Sequence, residues 1–147
     1  MMGCDIHMRV EYKHKGDSEW KSGEHYRKNK DGSYEVVPIY DARSYNLFSI
    51  LAGVRNNNLE PIIPIMEWRK GFPSDACEET VTEYLSWDGD AHSTTWYSMS
   101  ELEQHYRYCN KFNEETLSTL MALLQKRKSD LRIYGGDQMR IVFWFDS

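Results

Sequence analysis

The chain has 147 residues and a mass of 17.4 kDa, enough for a single domain spanning residues 1–147 and too little for two. Hydrophobic residues make up 40% and aromatic residues 14%, which excludes the aromatic-poor, charge-dominated composition of a disordered protein. The net charge of −5 is unevenly spread: no Lys or Arg occurs between Lys70 and Arg107, an interval that holds Asp75, Glu78, Glu79, Glu83, Asp88, Asp90, Glu101 and Glu103. Such a segment repels a phosphate backbone and disfavours broad DNA binding, whereas it suits a divalent cation or a basic protein.

The start of the chain has no apolar signal-type core, and no run approaches the roughly 20 apolar residues of a membrane helix. The expectation is a cytoplasmic protein with no membrane partner. Cys4, Cys77 and Cys109 are odd in number and form no CxxC pair, so reduced thiols are expected rather than a disulfide framework.

In chain order, Cys4, Ile6, Met8, Val10 and Tyr12 alternate with Asp5, His7, Arg9, Glu11 and Lys13, the period of a strand with one apolar and one polar face. Turn signals at Lys15-Gly16-Asp17 and Asp31-Gly32 extend this to a three-stranded antiparallel meander over residues 4–40, with a basic loop as the competing reading of its middle member. Leu47, Phe48, Ile50 and Leu51 form a helical stripe that Gly53 would end. Residues 56–73 carry Pro61, Pro64 and Pro73 and read as a surface loop. Ser74 or Asp75 would cap a helix through Val81 and Leu85, and the polar run from Trp87 to Trp96 reads as a site loop. Ser98 and Glu101 stand at capping-box spacing before a third helix. Leu117, Leu120, Met121 and Leu124 mark a fourth helix, begun after Asn113 and ended by Lys126, Arg127 and Lys128. After Gly135-Gly136 the run Gln138 to Phe145 is apolar on both faces, as in a central strand, and is expected beside the first strand. The fold class predicted is α+β, an antiparallel sheet with helices packed on one face.

Three groups of residues can carry chemistry. Asp5 and His7, at i and i+2 on a strand, point to one face about 7 Å apart. Asp88, Asp90 and His92 repeat the alternation, and Asp5, His7, Asp90 and His92 together form a candidate divalent-metal set that would activate water, with His7 and His92 as candidate catalytic residues. His92 and Ser93 open a His-x-Thr element of the kind two-histidine phosphoesterases use twice, but none of His7, His25 or His105 begins a second copy. His14, His25 and His105 read as surface residues. Arg9, Arg43, Arg55, Arg69 and Arg140 supply guanidinium forks for phosphate, and Tyr45, Trp68, Trp87, Trp96 and Trp144 supply rings on which a base can stack. The alternative reading has these arginines paired with carboxylates and the rings filling the core.

The segments Met2-Gly-Cys-Asp-Ile-His, Arg43-Ser-Tyr-Asn-Leu-Phe, Leu51-Ala-Gly-Val-Arg55, Arg69-Lys-Gly-Phe-Pro73, His92-Ser and Asp137 to Asp146 together resemble a family of small, mostly uncharacterised proteins of bacteriophages and prophages. Lys70, between Arg69 and Gly71, departs from that pattern. The resemblance implies a phage accessory protein acting in the host cell, of a kind that antagonises host defence, and brings no established activity. The resulting expectation is a pocket of Asp5, His7, Arg9, Arg43, Arg55, Asp90, His92, Ser93 and Arg140 that binds a small phosphorylated or nucleotide-like ligand. Two alternatives stand beside it: a metal-dependent phosphodiester hydrolase, and an inhibitor that docks its acidic surface on a host protein.

Overall fold

A computed structural model describes residues 3–56, 64–65, 68–87 and 89–146. Half of the proline-rich loop 56–73, and Asp88 of the second Asp/His alternation, therefore lie outside the described residues. The described residues form strands β1 (Asp5–Tyr12), β2 (Lys21–Ser22), β3 (His25–Lys28), β4 (Tyr34–Val37), β5 (His92–Ser98) and β6 (Met139–Asp146) and helices α1 (Tyr45–Ala52), α2 (Glu78–Ser86), α3 (Met99–Tyr108) and α4 (Lys111–Asp130). The main sheet is antiparallel in the order β2-β1-β6-β5, and β3 and β4 form a ribbon of their own. This is the α+β class that the periodicities predict.

The apolar rung of β1, Ile6, Met8 and Val10, lies on the same face as Ile141, Phe143 and Phe145 of β6, because Ile6 pairs with Phe145, Met8 with Phe143 and Val10 with Ile141. That face packs on Leu47, Phe48 and Leu51 of α1, Leu102 of α3, and Leu117, Leu120 and Leu124 of α4, all at most 1% exposed. β6 is buried from Met139 through Phe145, as the run of apolar residues on both faces requires. The opposite face is covered in part by α2, whose Tyr84 meets Trp144 edge to face with ring centroids 5.0 Å apart.

Local signals explain most element boundaries. Ser44 caps α1 by accepting from the Leu47 N–H, and Gly53 closes it at φ +70, a left-handed conformation that costs glycine nothing. Ser98 and Glu101 form the capping box at the start of α3. α4 starts at Lys111 behind an Asn110 cap, three residues earlier than the stripe alone suggests.

Three expectations need correction. Neither Ser74 nor Asp75 caps α2: Cys77 occupies that position without a side-chain bond to the helix backbone, and Asp75 turns to Arg140 instead. The second half of the expected site loop 87–96 is strand β5, an edge strand whose register shifts between His92 and Thr95, where Ser93 takes φ +56. The three-stranded meander does not form. β2 pairs with β1 only at Glu11 and Tyr12, because the Val10 N–H that would continue the ladder donates to the side chain of Glu24. A carboxylate in place of a strand carbonyl ends the pairing and releases β3 and β4 into their own ribbon.

Candidate functional site

The polar rung of β1 is tied down residue by residue. Asp5 Oδ1 accepts from Arg43 Nε and Nη2 at 3.0 and 2.8 Å. His7 Nε2 lies 2.8 Å from Asp146 Oδ2, and its ring is held between Trp87 and Trp144, with centroids at 4.0 and 6.1 Å. Arg9 Nη2 meets Glu83 Oε2 of α2 at 3.0 Å. Glu11 is fully buried: one carboxylate oxygen accepts from Arg140 Nε at 2.7 Å and the other from the Cys77 N–H at 2.8 Å.

Arg140 is 1% exposed, salt-bridged to both Glu11 and Asp75, and flanked by the Trp20 and Trp96 rings at 4.1 and 5.1 Å. Burial acts to raise the Asp75 carboxyl, but the hydrogen bond and charge of Arg140 outweigh it and hold the group below its ordinary range. This cluster fastens the α2 entrance and Trp20 to the sheet. Arg140 therefore acts structurally, and its expected place in a ligand pocket is corrected by its burial.

The metal set does not assemble. His92 pairs with Phe145 across the ladder and stacks on that ring at 6.2 Å, so it sits on the register of the core face and two strands from His7, which pairs with Trp144 on the other pleat. Its Nδ1 lies 3.0 Å from Ser93 Oγ. Asp90 is exposed in a turn whose N–H donates to the Trp87 carbonyl. Among the described residues no group of three or more His, Cys, Asp or Glu side chains could hold a metal ion. The two alternating patterns look alike in sequence, but the Ser93 bulge and the intervening strand put them on different surfaces.

The remaining candidates disperse as well. Arg55 lies over the Tyr45 ring at 5.5 Å and beside the Cys4 thiol, whose pKa is raised mainly by burial. Cys77 is pushed up to about 12, again chiefly by burial, so neither buried thiol is poised as a nucleophile. Of the rings, Trp144 is fully buried, while Trp68 is 79% exposed. Arg69 donates through Nε and Nη2 to the Ala52 carbonyl and so caps the C-terminal end of α1. Lys70 bridges to Glu101 at 2.6 Å and lies 3.7 Å from the Trp96 ring centroid. His105 is half-buried rather than a surface residue, and its Nε2 has no hydrogen-bond partner among the described residues.

Three nominated residues do share a concavity. A groove of about 400 Å³ runs along β1 from Asp5 to Arg9, with Val36, Pro38, Tyr40 and Asp41 as its other wall and Glu83 at one end. A larger hollow of about 570 Å³ between α3 and α4 contains none of the nominated residues. The second wall and Glu83 carry no local motif in the sequence; only the fold, which brings residues 36–41 and α2 beside β1, reveals them. No family model matches the chain, and neither does any curated protein or any solved structure. No helix among the described residues is long and apolar enough to cross a membrane.

Proposed function

We propose that this chain is a binding module whose ligand lies in the β1 groove and carries a cationic group. The observation behind this reading is the groove's charge: Asp5, Asp41 and Glu83 line it against Arg9 and His7. Arg43 offsets Asp5 and Arg9 offsets Glu83, whereas Asp41 is exposed and has no ion pair among the described residues. A cation placed there gains an uncompensated carboxylate.

The phosphorylated or nucleotide-like ligand suggested by the arginines is the second reading. Arg9 is the one nominated arginine that lines the groove, and phosphate would take it from Glu83 against the field of Asp5 and Asp41. The acidic-surface inhibitor is weakened by pairing: Asp75, Glu83, Glu101 and Glu103 all bind cationic side chains. An accessory role against a host partner, implied by the phage and prophage resemblance, fits a module that acts by occupying its target.

The test is amide NMR titration with spermidine, inorganic phosphate and nucleoside monophosphates. Spermidine is expected to shift Asp5 to Arg9, Tyr40 and Asp41, and Asp41→Asn to weaken it several-fold. Shifts there with phosphate compounds alone would favour the second reading, and no shifts at all would remove the groove as a site.

A further inference from the structure

Resting on that reading of the groove, we propose that its occupant is an extended segment of another polypeptide, which adds to β1 as an antiparallel strand with a lysine or arginine facing His7. In an antiparallel ladder, successive residues turn their N–H and C=O alternately toward one neighbour and the other. Val10 turns outward: its C=O accepts from the Gly23 N–H and its N–H donates to Glu24. Ile6 and Met8 share that parity, so their N–H and C=O groups face the groove. β2 covers β1 only at Glu11 and Tyr12, and among the described residues no backbone or side-chain group bonds the outward groups of Ile6 and Met8.

A stretch of sheet edge is thus left open inside a concavity, and the residues from Val36 to Asp41 line the cavity with it without pairing to it. Size agrees with this occupant. A strand fills roughly 160 Å³ per residue, from a 3.3 Å rise, a 4.8 Å strand spacing and a 10 Å sheet spacing. The groove volume of about 400 Å³ therefore takes two to three residues, the span from Ile6 to Met8. Main-chain bonds supply affinity in strand addition, and alternate side chains supply selectivity.

Charge sets that selectivity. An added residue facing His7 projects onto the polar pleat, diagonal to both Asp5 and Arg9; Glu83 already offsets Arg9, while the Asp41 carboxylate has no ion pair among the described residues, so a cationic side chain fits there. The residues on either side of it lie opposite Ile6 and Met8, where valine-like side chains suit the neighbouring Val36 and Pro38.

The probe is acetyl-Thr-Val-Lys-Val-Thr-amide, whose symmetry gives one register in either direction. Binding is expected to slow hydrogen exchange at the Ile6 and Met8 amides. N-methylation of both valines should weaken it at least roughly tenfold, since their N–H groups face β1, while N-methylation of the lysine should change it by less than about twofold. No binding at millimolar peptide, or equal sensitivity at the two kinds of position, overturns strand addition. Equal binding of the peptide with glutamate for lysine overturns the charge assignment. A dimer in sedimentation with Ile6 and Met8 already protected assigns the edge to a second copy and also overturns the proposal. If spermidine shifts the groove resonances and the pentapeptide does not protect these amides, strand addition fails while the groove reading survives. If neither acts, both fail.

Discussion

His7 Nε2 and Asp146 Oδ2 lie 2.8 Å apart although 139 positions separate them in the chain. Asp146 is also the direct register partner of Asp5, and two carboxylates facing each other across a ladder repel. Arg43 on Asp5 answers that repulsion with its charge, and His7 lies within hydrogen-bond distance of Asp146 on the other side. His7 additionally fills the space between Trp87 and Trp144.

The two partners are therefore unequal. His7→Ala removes the ring from between the two indoles and leaves Asp146 beside Asp5, and it is expected to cost about 1 to 2 kcal/mol. Asp146→Asn relieves the repulsion while losing a partly exposed bond, and it is expected to change stability by less than about 0.5 kcal/mol. Urea unfolding of both variants checks this. Equal costs would mean that the His7–Asp146 contact, not the ring packing, is what matters.

Arg140 and Glu11 form a buried pair, where removing one member is worse than replacing both. Arg140→Ala strands a carboxylate that is 0% exposed and is expected to cost about 3 to 5 kcal/mol. Replacing both, as Glu11→Leu with Arg140→Met, is expected to recover most of that loss, because no buried charge remains. Chemical denaturation of the single and double variants gives the coupling. A double variant as unstable as Arg140→Ala alone would show that the Cys77 and Asp75 contacts dominate instead.

What the chain discloses about itself follows from range. The alternation of Ile6, Met8 and Val10, the double-faced apolar run ending at Phe145, the Ser98-Glu101 box and the Gly53 stop are encoded within a few residues, and each element stands where its pattern places it. β5 is illegible because the Ser93 bulge breaks its alternation and makes the run from His92 to Tyr97 read as polar loop. The separation of β3 from β1 depends on one Glu24 contact that no local pattern encodes. The same holds for the candidate site. Asp5, His7 and Arg9 are visible together as one pleat, but their counter-groups Arg43, Asp146 and Glu83 come from three other parts of the chain.

Gly23 sits where β2 leaves β1, and a Cβ built on it would stand 2.8 Å from Val10 Cγ1 and 3.0 Å from Leu131 Cδ1. Gly23→Ala is therefore expected to push β2 from the β1 edge and cost about 1 to 3 kcal/mol. Hydrogen exchange locates the effect: faster exchange at the Gly23 amide, which donates to the Val10 carbonyl, is the expected sign. Unchanged exchange there with a normal unfolding midpoint would mean that the side chains of Val10 and Leu131 simply move aside.

His105 gives the fold a pH dependence whose sign can be worked out. Burial disfavours its charged form and holds its pKa below the ordinary value of 6.5. A group depressed in the folded state binds its proton more readily when unfolded, so its contribution is complete above about pH 6.5 and is lost as pH falls through the lower folded pKa. Glu24 works in the other direction: burial raises its carboxyl above 4.5, so the stability linked to it is complete below about pH 4.5 and is lost as pH rises through the folded pKa. The two are separable by substitution. His105→Gln is expected to flatten the loss of the unfolding midpoint below pH 6.5, and Glu24→Gln to flatten the decline above pH 4.5. Midpoints measured from pH 4 to 8 check both, and a His105→Gln profile that still falls as steeply below pH 6.5 would assign that loss to another group.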